Sequence, residues 1–329
     1  MSTGETKETT TATTALDMDD GGGHDELSLL ATRLVSHHKR VSLLRRIFSF
    51  HETRNPKDYI NLRSSSTLFH SVLRPPPLWT SFPCSNHATL KSLVRRLEEL
   101  RGDEKSSGNV PSVLLIEEGD YVHENFRVNF PLSMYGAGRG KTTLVGSGLQ
   151  INGKKSGGIV EIGDLTLRPI PFDGSGRRKS MLSNGLTAYG GMNLMMKRVS
   201  IVESWACGML AYDVDVSCVD LQVIGCHIHG VCANSGATIT LSGEGTSIQR
   251  NGTSAHGGIG GDYGLKNCGD YGLKTYTSSD KIKLVAPLTK EQISTNNGGG
   301  GNWGGRGTIE QVDNDDIVLQ ILYKEKEDE

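Results

Sequence analysis

The 329-residue sequence is poor in aromatic residues (6%), has only six cysteines and contains no long apolar run. Without about 18 consecutive apolar residues it cannot form a membrane-spanning helix. Its 35 basic and 37 acidic residues nearly cancel, so no overall field attracts nucleic acid or an anionic membrane. Residues 1–20 are Thr-rich and acidic and lack the apolar stretch of a signal peptide. We therefore expect reduced thiols and a cytoplasmic location, with the nucleus as an alternative.

Glycine, by contrast, is abundant: 42 of 329 residues, or about 13% against roughly 7% in average proteins. After residue 110, short alternating apolar runs separated by Gly, Asn and Asp predict many short strands. Some of these runs repeat about every 22 residues. The aligned copies are Gly185-Leu-Thr-Ala-Tyr189, Gly208-Met-Leu-Ala-Tyr212, Gly230-Val-Cys-Ala-Asn234 and, more loosely, Gly272-Leu-Lys-Thr-Tyr276.

The same alignment predicts which apolar side chains stack. A unit of this length cannot bury its own apolar face, but it can when stacked on copies of itself. Ala188, Ala211 and Ala233 follow two positions after one ladder, as an alternating strand requires. The predicted ladders are Val160–Leu194–Val216, Ile162–Met196–Cys218, Leu165–Val199–Leu221, Leu167–Ile201–Val223 and Leu186–Met209–Val231–Leu273.

The chain divides into five predicted regions. Residues 1–25 have the composition of a disordered tail. Apolar residues three or four positions apart predict a small α-helical domain over 26–83. Residues 84–109 predict a capping helix and a linker, and residues 110–296 the stacked β-coils. Residues 297–329 predict a Gly-rich loop, a closing strand and a charged tail.

The repeats resemble the right-handed parallel β-helix proteins of the pectin-lyase-like superfamily. The capping helix Thr89–Leu100, the strand Val113–Ile116, the turn Glu118–Tyr121 and the segment Pro131–Gly138 match the opening of that fold. The resemblance implies a mainly β fold, a solenoid preceded by helices. It leaves the chemistry open, because this fold carries lyases, hydrolases and non-catalytic proteins.

If the chain is an enzyme, its candidate catalytic residues are Asp164, Asp213, Asp215, Asp220 and His229. The alignment stacks Asp164, Arg198 and Asp220 on successive coils. Arg198 would keep both carboxylates ionised, which suits an alternating-charge ladder better than a general acid. Of the motifs that mark polygalacturonase-like enzymes of the superfamily, only His229-Gly230 has a counterpart. A binding protein without catalytic activity is therefore the favoured interpretation.

Two segments invite a ligand-binding interpretation. Cys226-His-Ile-His229 lies close to Cys232, and coil alignment places Asn184, Cys207, His229 and Tyr271 on one line. No spacing of a closed zinc site is present, so we predict no metal and no cofactor. Tyr135 occupies the position that a phosphate-binding loop at residues 136–143 would need as glycine, which favours a corner between coils.

The N-terminal residues resemble an F-box in Leu43–Phe50, Leu62–Ser66 and Pro75–Trp79. The resemblance implies binding to a Skp-type adaptor of the ubiquitin pathway through Ile47, Phe48, Phe50, Leu62, Leu78 and Trp79. The alternative is that these helices only cap the open end of the β-helix. The favoured function is an intracellular binding protein whose coils recognise a protein or glycan partner. The alternative is a polysaccharide lyase or glycoside hydrolase.

Overall fold

The computed structural model describes residues 79–102, 110–123, 126–153, 158–169, 184–252, 270–298 and 300–313. These residues form 23 strands and two helices, so the described part of the chain is mainly β. None of the described helices is both long and apolar enough to cross a membrane. The predicted tail and most of the predicted helical domain, residues 1–78, lie outside the described residues.

The strands form three sheets. The first contains β1 (Trp79–Phe82), β2 (Val113–Ile116), β5 (Leu132–Gly136), β8 (Ile159–Gly163), β11 (Asn193–Lys197), β14 (Asp215–Val219), β17 (Thr238–Ser242), β20 (Lys281–Val285) and β23 (Thr308–Val312). The second contains β3 (Gly119–His123), β6 (Thr142–Gly146), β9 (Thr166–Pro169), β12 (Ser200–Val202), β15 (Gln222–Ile224), β18 (Ser247–Gln249) and β21 (Ser294–Thr295). The third contains β4 (Phe126–Val128), β7 (Leu149–Asn152), β10 (Leu186–Tyr189), β13 (Met209–Tyr212), β16 (Val231–Asn234), β19 (Tyr271–Thr275) and β22 (Gly301–Gly305).

From β2 onward the chain visits the three sheets in turn. From β5 onward every strand pairs in parallel with the strand three places before it, as β14 pairs with β11 and β16 with β13, whereas β2 pairs with β1. One coil is thus three strands, and successive coils lie one inter-strand spacing apart, about 4.8 Å. This topology confirms the predicted parallel β-solenoid.

The predicted apolar ladders form the core. Leu194 pairs with Val160 on one side and Val216 on the other, and Ile201 with Leu167 and Val223. The third-sheet ladder and the alanine ladder also have the predicted register. All of these side chains are buried. The ladders therefore supply the main hydrophobic stabilisation of the solenoid.

The coils turn through left-handed residues at matching positions. Each corner carries a column of residues with φ between 48° and 85°, most of them not glycine. A non-glycine residue pays a steric penalty in this region, so the constraint of coil stacking outweighs it. The columns are Asp164–Arg198–Asp220–Gly243 after the first sheet, Glu203–Gly225–Arg250–Asn296 after the second, and Asp213–Ser235 after the third.

The repeated glycines mark where the chain enters the third sheet. A Cβ at Gly208 would collide with Val223 Cγ1, and one at Gly230 would collide with Ile248 Cγ2. Both atoms belong to core side chains of the second sheet. Only glycine therefore allows the backbone to approach the core at this corner.

Helix α1 (Leu90–Gly102) lies against β3 and β4 and buries Leu90, Leu93, Val94 and Leu97. The Oγ1 of Thr89 accepts the N–H of Ser92 (3.1 Å), the bond that marks a helix N-cap. The helix therefore begins after Thr89. The second helix, α2 (Lys290–Ile293), is a single turn with a capping box at Thr289.

Two predicted boundaries are wrong within the described residues. The helical domain was expected to reach residue 83, but Trp79–Phe82 is the strand β1, paired with Val113–Ile116. Beyond residue 296 a Gly-rich loop and a closing strand were expected, but Gly301–Gly305 is the strand β22 instead of a loop, and Thr308–Val312 is the closing strand β23. The Gly-rich composition concealed β22, because glycine is depleted in ordinary strands.

The stacked ladders predict a sharp contrast between neighbours on β11. Leu194 is 1% exposed, so Leu194→Ala should lower the free energy of unfolding by about 2–5 kcal/mol. Met195 is the next residue and points outward, so Met195→Ala should cost less than about 1 kcal/mol. Urea unfolding of both variants measures the contrast. Equal losses would contradict the inward register of Leu194.

Candidate functional site

The acids Asp164 and Asp220 lie at the corner between the first and second sheets, where two arginines contact them in different ways. Arg198 donates from Nε to Asp164 Oδ1 (2.7 Å) and from Nη2 to Oδ2 (2.6 Å). Arg139 donates to the backbone oxygen of Asp220, whose Oδ1 accepts the N–H of Gly245. Hydrogen bonding to Asp164 raises the pKa of Arg198 further above its ordinary value. Arg198 therefore pairs with Asp164 as in the predicted charge ladder, whereas the Asp220 carboxylate accepts a backbone N–H instead.

The other candidates do not join them. Asp213 and Asp215 follow the third sheet and are both exposed, and His229 precedes a third-sheet strand at a different corner. The structure therefore divides the five candidates among three corners of the coil. Within the described ranges, no three His, Cys, Asp or Glu side chains are grouped to hold a metal ion.

The glycine-rich segment 136–143 forms the corner between β5 and β6. Its amides are already used: Ala137 donates to Thr142 Oγ1, Gly138 to Asp164 O and Gly140 to Thr166 Oγ1. A phosphate-binding loop needs such N–H groups free to face the anion. The structure therefore agrees with the interpretation as a corner.

The outer face of the third sheet carries aromatic, polar and sulfur-containing side chains, several of which are buried. Its side chains fall into three columns that run from coil to coil. The leading column, where the chain enters each strand, is Asn184–Cys207–His229–Tyr271. The central column is Gln150–Thr187–Leu210–Cys232–Lys274, and the trailing column is Asn152–Tyr189–Tyr212–Asn234–Tyr276.

His229 is fully buried in the leading column. Its Nδ1 accepts the backbone N–H of Tyr271 (3.0 Å), and within the described residues its Nε2 has no hydrogen-bond partner. Burial lowers the pKa of His229 to about 4, and the charge of Lys274 acts in the same direction. The ring is therefore neutral at pH 7 and carries its proton on Nε2. His229 can therefore donate a hydrogen bond from Nε2, but it is not placed to act as a general base, because Nδ1 already accepts the N–H of Tyr271.

Two tyrosines and a lysine surround this histidine. The Tyr276 ring meets the His229 ring edge to face at 5.9 Å, and the Tyr271 ring lies 6.2 Å away. The Lys274 Nζ lies 4.3 Å from the Tyr271 ring centroid and 5.7 Å from that of Tyr276. Such cation–π contacts hold the ammonium group at the surface between the two rings.

The trailing column carries planar side chains on five successive coils. Tyr189 and Tyr212 stack with centroids 5.5 Å apart and planes 8° from parallel. The Asn234 side chain hydrogen-bonds the Tyr212 hydroxyl, and burial raises the pKa of Tyr212. Tyr189 is 38% exposed. Tyr212 is half-buried, so the more accessible ring of this stacked pair is that of Tyr189.

A buried carboxylate fixes the last member of this column. Asp280 accepts the N–H groups of Tyr276 (2.8 Å), Thr277 (2.6 Å) and Gly236 (2.7 Å), and also the Thr277 hydroxyl. Burial alone would raise the pKa of Asp280, but these hydrogen bonds outweigh it and lower the pKa. Asp280 thus positions Tyr276 against the neighbouring coil.

Sequence reasoning did not single out the trailing column as a site. Its signal was present, since Tyr189, Tyr212, Asn234 and Tyr276 end the four aligned copies. A recurring Tyr or Asn at this position is also typical of a purely structural repeat, so the pattern alone does not indicate a site.

The structure gives no support to the residues implied by the F-box resemblance. Ile47, Phe48, Phe50, Leu62 and Leu78 lie outside the described residues. Trp79 is half-buried at the start of β1, where its backbone pairs with Val113 of the first sheet. Adaptor binding by the first five residues therefore stays a prediction.

Comparisons with known proteins give little further information. No protein-family description and no curated protein matches the sequence. Among solved structures, the chain is similar to a "putative glycosyl hydrolase" from Parabacteroides merdae ATCC 43184. The match covers 70% of this chain and 91% of that chain, with a TM-score of 0.31 and 9% identity. A likeness this distant carries no argument about activity.

The neutral, buried state of His229 predicts a pH-dependent stability. Unfolding returns the pKa from about 4 to about 6.5, so the unfolded chain binds more protons as the pH falls between these values. Acidification from pH 7 to 5 should cost wild type about 2 kcal/mol more than His229→Gln, which keeps a donor and an acceptor. Urea unfolding at both pH values measures this difference. An equal loss in both proteins would contradict the assignment.

Proposed function

We propose that this protein binds an extended saccharide on the outer face of the third sheet. The observation that carries the proposal is the trailing column, which presents phenol or amide groups on five successive coils. A solenoid repeats its surface at every coil, so it suits a ligand that is itself a chain of repeating units. A polysaccharide has this property.

The chemistry of the column matches hydroxyl-rich ligands. Tyrosine hydroxyls and asparagine amides both donate and accept hydrogen bonds, as sugar hydroxyls do. The ring edges of Tyr189 and Tyr212 add apolar contact beside these polar groups. On the coil that contains β19, Lys274 offers a positive charge held between the rings of Tyr271 and Tyr276.

The positions of the candidate carboxylates favour binding of the saccharide without its cleavage. Glycoside hydrolysis requires two carboxyl groups about 5–9.5 Å apart on either side of one bond. Asp164 and Asp220 are engaged at another corner, and Asp164 is 2% exposed. Asp213 and Asp215 are the exposed acids beside the trailing column, and they belong to one corner of one coil. Incubation of the protein with the same saccharides would show any cleavage through newly formed reducing ends or unsaturated products.

Removal of single hydroxyls tests the proposal. Soluble oligosaccharides, neutral and uronate, are titrated against the full chain by calorimetry. Tyr189→Phe and Tyr212→Phe keep the stacked rings but lose one hydrogen-bonding group each. Each should weaken binding about fivefold to tenfold, since one such bond contributes about 1 kcal/mol.

Tyr135→Phe is the matched control. Tyr135 lies in the first sheet, and its hydroxyl hydrogen-bonds Glu161 there much as the Tyr212 hydroxyl bonds Asn234 in the third sheet. It should bind as wild type does. The proposal is wrong if no oligosaccharide binds, or if the three variants bind equally well.

A further inference from the structure

Two cysteines of adjacent coils bring their sulfurs together in the floor of the third-sheet face. Cys207 Sγ and Cys232 Sγ lie 3.3 Å apart. Both residues are buried, Cys207 at 5% and Cys232 at 0% exposure. They form a small apolar cluster with Leu210, and Tyr212 and Tyr276 pack against it. This cluster lies outside the main core of the solenoid.

The other described cysteines have different surroundings. Cys218 belongs to a core ladder, stacked between Met196 and Leu241. The thiol of Cys226 faces the backbone oxygen of Ile224, and Cys84 is half-buried near α1. All five described cysteines are free thiols. Contact between two sulfurs therefore distinguishes the pair Cys207 and Cys232 from these three.

We propose that Cys207 and Cys232 are a modification site, a dithiol that a peroxide converts reversibly into a disulfide. The Cys207 sulfur attacks the peroxide O–O bond and becomes a sulfenic acid, releasing water. The Cys232 sulfur then attacks the Cys207 sulfur and displaces its hydroxyl group as a second water. In total, two thiols and one hydrogen peroxide give one disulfide and two waters, and the sulfur pair loses two electrons.

The geometry requires only a short movement. A disulfide bond is about 2.05 Å long, so the sulfurs at 3.3 Å must approach by roughly 1.3 Å. Cys207 reacts first because it is the more exposed of the two. Burial and the hydrogen bond to Cys207 raise the pKa of Cys232, so the Cys232 thiolate that forms the disulfide is scarce and this second step is slow. A small oxidant such as hydrogen peroxide fits this nearly closed site.

The product would tie two coils together across the strand pair β13 and β16. Cross-linking removes conformations from the unfolded chain, and the loop between residues 207 and 232 is long enough for this effect to be large. The oxidised protein should therefore melt several degrees higher. A thiol reductant should return the melting temperature to its original value.

Mass spectrometry of the folded chain tests the proposal. The protein is treated with hydrogen peroxide, unfolded, alkylated and digested. We expect loss of two alkylatable thiols, a mass decrease of two hydrogen atoms and a peptide pair joined through Cys207 and Cys232. Dithiothreitol should restore both thiols.

Three variants make the result specific. Cys207→Ser and Cys232→Ser should each abolish the cross-link and the rise in melting temperature, whereas Cys218→Ser should retain both. The proposal is overturned if peroxide leaves both cysteines alkylatable, if either is oxidised to sulfinic acid without a cross-link, or if another cysteine pair forms.

Discussion

Hydrogen bonding between equivalent strands of successive coils determines nearly everything else in the described chain. Because equivalent strands of successive coils pair in parallel, a strand residue within the stack has a counterpart directly above and below it. An apolar residue placed inside therefore builds a ladder, and a corner residue builds a column. The positive φ values of Asp164, Arg198 and Asp220 show the strength of this requirement. The backbone adopts the same left-handed corner although none of the three is glycine.

The same register explains how the solenoid builds a surface for binding. A planar side chain at the end of one third-sheet strand is followed by another on the next coil, as Tyr212 follows Tyr189. Partners such as Asp280, buried beneath Tyr276, hold the members in place. The candidate acids Asp164 and Asp220 lie at a different corner of the coil. Asp164 in particular contributes to the corner through its paired hydrogen bonds with Arg198.

The core could be predicted from sequence because apolar ladders repeat with a nearly constant period. The ends of the solenoid could not: Trp79–Phe82 follows a proline-rich segment, and Gly301–Gly305 has the composition of a loop. Those strands form because a neighbouring strand offers hydrogen-bond partners to their backbone. The types of their own residues do not indicate this. The line from Cys207 to His229 was predicted correctly. The contact of Cys207 with Cys232 was not, because it depends on side-chain direction across a tight bend.

The repeated face of the third sheet is the proposed binding surface of this protein. The most direct measurement is a crystal structure of the full chain with the oligosaccharide that binds it most tightly. We expect sugar rings lying along the solenoid across Tyr189, Tyr212 and Asn234, with hydrogen bonds to the tyrosine hydroxyls. A saccharide bound on the first or second sheet, with the trailing column uncovered, would contradict the proposal.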